Sequence, residues 1–335
     1  MIYKGDLSIM GITTKDLARI CGVSRTTVHR ALSDTGRINP QTKDFILETA
    51  KKYDYRPDLL ARGLVKGQTY NIGVVVLDVN NRYFAQMLSA IEVEARKKGY
   101  FVNITLHEKN PAMEKEQIAR LVDYHVEGII LSSVNQGEEY KKYLYSLNTP
   151  IVTIDNKIEE DIPFVGINER EAARAATVQI IARGYQKVVF VCPPLLDRGK
   201  ENIYVHEQRE KGFKEAIISS TVEAVVIDQV DYLRDCADQL VDGVKTAFFC
   251  SGDIFALELM KHLKTLGKRA PKDYGIMGFD NIDVLDYVTP RLTTIDNSVE
   301  KIAIIAVNML FDLINEKTTR TEILLDYLLV KGETI

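Results

Sequence analysis

Arg25, Thr26, His29 and Arg30 fall within six consecutive positions of this chain. An arginine there can bond a guanine through two donors, and a threonine can donate, accept or touch a thymine methyl. Such side chains, grouped near the N-terminal end of a helix, are what a recognition helix brings to base edges in the major groove. The chemistry they suggest is reading DNA.

The elements that must position them are legible nearby. Thr13 is a good N-cap with Asp16 three residues on as its capping-box partner, so a helix opens there and runs through Leu17, Ala18 and Ile20. Gly22 permits a tight turn. Ser24 caps a second helix, whose Val28, Ala31 and Leu32 fall at the spacing that buries one face against the first. Asn39 and Pro40 start a third helix, with Phe45, Ile46, Leu47 and Ala50 as its core. Two short helices and a tight turn make a helix-turn-helix, closed here by the third. Solvated arginines on an ordinary helical domain are the bland alternative. Charge weighs against it: residues 1–67 hold 12 Lys+Arg against 7 Asp+Glu, whereas the rest hold 31 against 40. A basic head on an acidic body is the footprint of phosphate contact.

Thr13 through Leu32 resembles the head of the lactose/galactose repressor (LacI/GalR) family of bacterial transcription regulators, which reads Thr-x-Lys-Asp-Val-Ala-x-x-Ala-Gly-Val-Ser-x-x-Thr-Val-Ser-Arg-x-Leu. His29 stands where the family usually has serine. The resemblance implies that Arg25 and Thr26 set operator preference, that Arg30 contacts a base, and that Thr27 and His29 hold phosphates. The two caps, Thr13 and Ser24, are counted with the DNA-binding residues. Residues 57–67 match the family's hinge helix, in which Ala61 would let two hinges pack and Leu64 would wedge into the minor groove and bend the duplex. Gly63 replaces the usual serine and lowers helix propensity by about 1 kcal/mol relative to alanine, so this hinge is expected to fold only on DNA. A plain flexible linker is the competing reading.

The 335 residues, 46% of them hydrophobic, leave room for one small and one large unit with ample core. No run is apolar enough to span a membrane or to serve as a secretory signal, so a cytoplasmic protein is expected. Met10 lies just ahead of the first helix, where chains of the family commonly begin. Cys21, Cys192, Cys236 and Cys250 show no CxxC spacing and suit reduced, buried thiols. From Tyr70 onward short apolar runs alternate with helical patterns. The predicted strands are 72–77, 101–106, 128–132, 150–154, 187–191, 224–227, 246–250 and 274–278, with helical segments between them. That alternation predicts parallel sheets wrapped by helices, in two similar doubly wound subdomains with a cleft between. GxGxxG after a strand, GxxxxGK[ST], HExxH and GxSxG are absent, so no catalytic residue, metal or cofactor is expected. The fold class expected is an all-α helix-turn-helix head on an α/β core like that of the periplasmic binding proteins.

The resemblance also says what the cleft holds, a small effector. Asp78-Val-Asn-Asn-Arg-Tyr-Phe84 matches the family's Asp-x-x-Asn-Pro-Phe-Phe, with Arg82 for proline, so Tyr83 and Phe84 would offer a stacking face; core packing is the equal alternative. Asp155 matches an effector-contacting aspartate, Arg209 the arginine of Arg-x-x-Gly-Phe, and Asp280 the first aspartate of Gly-Phe-Asp-Asp. Carboxylates that accept hydroxyl hydrogens, beside an arginine fork, suit a sugar or polyol; surface salt bridging is the dull reading. Ser251-Gly252-Asp253 departs from the usual Ala-Asn-Asp, so either Ser251 or a water replaces an amide or the ligand is not a typical hexose. The charged segment 193–204 leaves room for a phosphate or an acidic sugar.

The expected division is an N-terminal extension (1–12), a head (13–56), a hinge (57–69), and two effector subdomains made of 70–166 with 296–322 and of 167–295 with 323–335. Thr293-Thr294-Ile295-Asp296 matches the family's crossover, and the helix 302–311, apolar nearly all round, is expected to be buried. The function expected is that of an operator-binding homodimer on a near-palindromic site, controlled by a carbohydrate effector that rotates the lobes. A purine effector or a corepressor-dependent form is the alternative. No leucine heptads follow Lys331 to suggest a tetramer. A secreted sugar-binding protein or a cleft enzyme is the distant competitor.

Overall fold

The computed structural model describes residues 12–56, 63, 68–194, 201–218 and 220–335. The chain divides into two compact units, 1–69 and 70–335.

In the first unit, α1 (Thr14–Cys21), α2 (Arg25–Ser33) and α3 (Pro40–Lys52) follow the expected signals. Thr13 and Asp16 form a reciprocal capping box, and Gly22 ends α1 at φ +66°, in the left-handed region that glycine adopts without strain. Ser24 Oγ accepts the Thr27 N–H at 3.1 Å and caps α2, while Asn39 caps α3 ahead of Pro40. Leu17, Ala18, Val28, Ala31, Ile46 and Ala50 form the core. Two residues expected in the core are exposed: Phe45 and Leu47. The third helix buries Ile46, Thr49 and Ala50, one i, i+3, i+4 stripe, and Phe45 and Leu47 lie about 100° to either side of Ile46. A hydrogen bond of 2.7 Å between the Tyr55 and Thr14 hydroxyls ties the segment after α3 back to α1.

The second unit holds two parallel sheets. The first has six strands in the order β11-β5-β4-β3-β1-β2, namely Glu322–Leu325, Phe164–Ile167, Ile151–Ile154, Ile129–Leu131, Asn71–Val76 and Phe101–Leu106. Alternate residues feed opposite faces. Val74, Val76, Ile130 and Val152 pack toward α4 (Arg82–Lys97) and α11 (Val299–Ile314), whereas Val75, Ile129 and Leu131 pack toward α5 (Pro111–Asp123) and α6 (Glu138–Ser146). Helices on both faces explain why these strands are apolar throughout rather than alternating.

The second sheet runs β7-β6-β8-β9, namely Glu223–Ile227, Lys187–Val191, Thr246–Cys250 and Gly275–Met277. Around it lie α7 (Glu169–Ala182), α8 (Tyr204–Ile218), α9 (Tyr232–Asp238) and α10 (Asp253–Thr265). Helices α7 and α8 pack so closely that a Cβ on Gly212 would sit 2.0 Å from the Arg170 carbonyl oxygen, which is the physical reason for glycine three residues after Arg209. The chain leaves the first sheet after Ile167 and returns after β10 (Thr294–Asp296), which pairs antiparallel with β12 (Leu328–Val330). The last crossing comes after Leu325, later than the 322/323 boundary expected, because Ile323 and Leu325 pair with Val165 and Ile167 as an edge strand. Along α11, Ile302, Ala303, Ala306, Val307 and Leu310 are buried, but Ile304 remains 38% exposed, so the helix is covered on most sides and not all.

Candidate functional site

Two surfaces collect chemistry, one in each unit. On the head, Thr13, Ser24, Arg25, Thr26, His29 and Arg30 are exposed and Thr27 is half-buried, while Val28 and Ala31 on the opposite side of α2 are sealed in the core. The helix therefore offers one polar face at its N-terminal end, with exposed guanidinium, hydroxyl and imidazole groups. Ala61 and Leu64, the two hinge residues singled out in the sequence, lie outside the described residues.

In the second unit a cavity of about 160 Å³ opens between the two sheets. Tyr83, Phe84, Asp155, Arg209, Ser251 and Asp280 all line it, so the six cleft residues marked in the sequence come together. Tyr83 and Phe84 start α4, capped by Asn81, and stand edge to face with centroids 5.1 Å apart; both are buried, so they pack in the core and wall the cavity at once. Asp155 leaves the end of β4 at φ +62° and accepts the Ser132 hydroxyl at 3.0 Å. Asp280 follows β9 at φ +110° and accepts the Asn297 amide at 3.1 Å. Left-handed backbone at two non-glycine residues aims both carboxylates inward at a cost in strain, a pattern typical of binding sites.

Arg209 is buried at the centre. Its Nε donates to Glu169 at 2.7 Å, one terminal nitrogen donates to the Ser251 carbonyl at 2.6 Å, and both reach Asp280 at 3.5 Å. Its guanidinium carbon lies 3.5 Å from the centre of the Phe279 ring. Burial pushes the Asp155 carboxyl up to about 6, against the pull of Ser132 and Arg209. Burial also drives Asp280 well above the usual carboxylate range, with Arg209 opposing it.

Sequence reading missed several neighbours. His206 lines the cavity one helical turn before Arg209, its Nδ1 3.1 Å from the Ser251 hydroxyl. Burial, then Arg209 and Lys109, hold its pKa down to about 3, so the ring is neutral. His107 also lines the cavity; its Nδ1 accepts the Lys109 N–H at 3.3 Å, which leaves the proton on Nε2 to donate to the Ser132 carbonyl at 3.0 Å. Behind it the fully buried Glu114 accepts from Ser133 Oγ at 2.7 Å, the Val134 N–H at 2.6 Å, Asn135 Nδ2 at 3.0 Å and the Tyr140 hydroxyl, fixing the loop after β3. Only spacing could have found one of these: His206 and Arg209 share a helix face at i, i+3.

The lobes touch on both sides of the cavity. Asn202, buried at the start of α8, donates its backbone N–H to Val134 at 2.7 Å and its amide to the Asn135 and Lys157 carbonyls at 3.2 and 3.1 Å. Asn156 in turn donates to the Asn202 carbonyl at 3.1 Å. Within the charged segment 193–204, residues 195–200 lie outside the described residues. On the other side Arg82 forks onto Asp283, with Nε to Oδ1 at 2.9 Å and a second bond to Oδ2, and the Asp283 N–H donates to Gln86 at 3.1 Å.

Residues 13–58 match the profile of bacterial regulatory proteins of the lacI family, and residues 177–335 match a periplasmic binding protein-like domain. The ribose operon repressor of Halalkalibacterium halodurans is 28% identical over 319 residues, 92% of each chain. The crystal structure of a periplasmic binding protein/LacI transcriptional regulator from Alkaliphilus metalliredigens, complexed with D-xylulofuranose, is 27% identical with a TM-score of 0.70, covering 79% of this chain and 98% of its own. The lac repressor dimer bound to operator and an anti-inducer superposes with a TM-score of 0.84 over 97% of this chain and 99% of that one; at 21% identity that likeness speaks to the fold.

Proposed function

Because the chain belongs to the LacI family of bacterial regulatory proteins, we propose that it is a DNA-binding transcriptional repressor whose grip on its operator is set by a sugar or sugar derivative held between the two lobes. The observation that carries this reading is the pairing, in one chain, of an exposed polar face on α2 with a cavity edged by two aimed carboxylates, one arginine and two aromatic rings. A cavity of about 160 Å³ is of the order that takes a single-ring molecule. Hydroxyl hydrogens would go to Asp155 and Asp280, and Tyr83 and Phe84 would cover the apolar side of the ring. A purine is the second occupant to test, since the same rings would stack on a base.

In this account Arg25, Thr26 and Arg30 read bases, Thr27 and His29 hold phosphates, and residues 57–69 form the hinge with Ala61 and Leu64 at its contact. A homodimer sets two heads on the half-sites of a near-palindromic operator, since two-fold protein symmetry maps onto two-fold sequence symmetry. Binding the chromosome places the protein in the cytoplasm. The ribose repressor and the xylulofuranose complex among its relatives support a carbohydrate effector. The test is selection of genomic fragments on the full-length protein, followed by thermal shift with neutral sugars, sugar phosphates, sugar acids and purines. A ligand at 100 times its Kd stabilises by about 2.7 kcal/mol. Failure to select any fragment above the unspecific background contradicts the DNA half of the reading, and silence across the whole panel contradicts the effector half.

A further inference from the structure

Most of the cavity's polar wall is already engaged within the protein. Arg209 spends its donors on Glu169, the Ser251 carbonyl and Asp280. The Ser132 hydroxyl goes to Asp155, the Asn156 amide to two carbonyls, the Asn202 amide to two more, and His107 Nε2 to the Ser132 carbonyl. Against these committed donors stand Asp155 and Asp280, which accept. His206 differs. Its Nδ1 faces the Ser251 hydroxyl at 3.1 Å, and its Nε2 makes no hydrogen bond with any described residue. That nitrogen is not among the sealed, partnerless atoms of the interior, so in a residue that lines the cavity it is open to a ligand.

We propose that His206 is a specificity-determining contact of the effector: its Nε2 bonds a ligand hydroxyl, and the His206–Ser251 pair selects a neutral polyol over a sugar phosphate or a sugar acid. This rests on the effector reading above. The pair suits a hydroxyl because it works in either direction. When the Ser251 hydroxyl donates to Nδ1, Nε2 carries the proton and donates; when Nδ1 donates to Ser251, Nε2 accepts. A hydroxyl answers both arrangements, whereas an anion can only accept and would need a cation beside it. The ring does not supply one, since burial and the neighbouring Arg209 and Lys109 keep it neutral. The guanidinium is already faced by Glu169 and Asp280, and Asp155 adds a third carboxyl to the same surroundings. An added phosphate would meet those carboxyls with Lys109 as the one further cation among the described residues of the wall to offset them.

The experiment is calorimetric titration of the full-length protein with D-ribose, D-xylose, D-glucose and D-galactose, with ribose 5-phosphate and glucose 6-phosphate, and with D-gluconate. The wild type should bind at least one neutral sugar, at least tenfold more tightly than its phosphate or acid counterpart. His206→Ala should weaken that sugar roughly tenfold, the upper end for one neutral hydrogen bond. His206→Gln, which keeps a donor and an acceptor, should recover most of the loss, and Ser251→Ala should weaken binding less than His206→Ala. Nitrogen-15 shifts of the ring should move at Nε2 on saturation, a response that a packing role would not give. Unchanged affinity in His206→Ala with wild-type binding intact overturns the role of His206 alone. A wild type that prefers a phosphate or an acid overturns the selection, and one that binds none of the neutral sugars overturns the effector reading together with this proposal.

Discussion

At the scale of single residues, the cleft is a set of buried charges around one guanidinium, and its titration gives a direct handle. The Asp155 carboxyl is raised to about 6, so the folded protein holds this proton more tightly than the unfolded chain does. The sign follows: the folded state is favoured at low pH, and that contribution is lost as pH rises from the ordinary carboxylate value through about 6. Effector binding runs the other way, because a carboxylate accepts a ligand hydroxyl better than a carboxylic acid does. Affinity for the neutral sugar should therefore fall as pH drops from 7.5 to 5, with a midpoint near 6, and Asp155→Asn should flatten the profile; a wild-type profile level across that range would contradict the assignment. Asp155, Arg209 and Asp280 were legible from short motifs, since each carries its own local pattern. Glu169, Asn202, Asn297 and His206 were not, because their significance arises from partners 17 to 67 positions away that only folding brings together.

At the scale of elements, the helix-turn-helix was readable because caps, turn glycine and apolar spacing all agree over residues 13–52. The central strands were readable as apolar runs. Phe164–Ile167 was passed over because four residues carry too little periodicity, and Glu138–Ser146 because its tyrosines and charges mask a stripe that buries only Tyr140 and Leu144. Strands β11 and β12 fall on the edge, where half-exposed residues blur the signal. Two contacts at this scale can be tested. Gly212→Ala should cost about 2 kcal/mol or more by forcing α7 from α8, seen as a lower denaturation midpoint of the second unit. The Arg82–Asp283 fork joins α4 to the 3₁₀ turn Asp283–Tyr287 of the other lobe, but both side chains are nearly half exposed, 46% and 44%. Solvent screening keeps its worth small. Arg82→Ala should then weaken the sugar up to about fivefold, and the deficit should shrink in high salt as the wild-type pair is screened; a larger, salt-independent loss would mean a packing defect instead.

At the scale of the whole molecule, the two units carry separable chemistry, and the charge partition between them was visible in composition before any fold. Arg30→Ala removes a proposed base contact and should lower operator affinity ten- to a hundredfold, by about 1–3 kcal/mol, with effector affinity unchanged. Equal loss of both would sink the modular reading. What composition could not show is whether the units are coupled, since coupling is a property of the assembled dimer on DNA. The most direct measurement is the operator Kd of the full-length protein, by fluorescence anisotropy on a selected fragment, with and without the saturating neutral sugar, matched by the sugar Kd with and without operator. Each ligand should change the other's Kd by one and the same factor, of order 5 to 150. An operator Kd that ignores a bound, saturating sugar would contradict it.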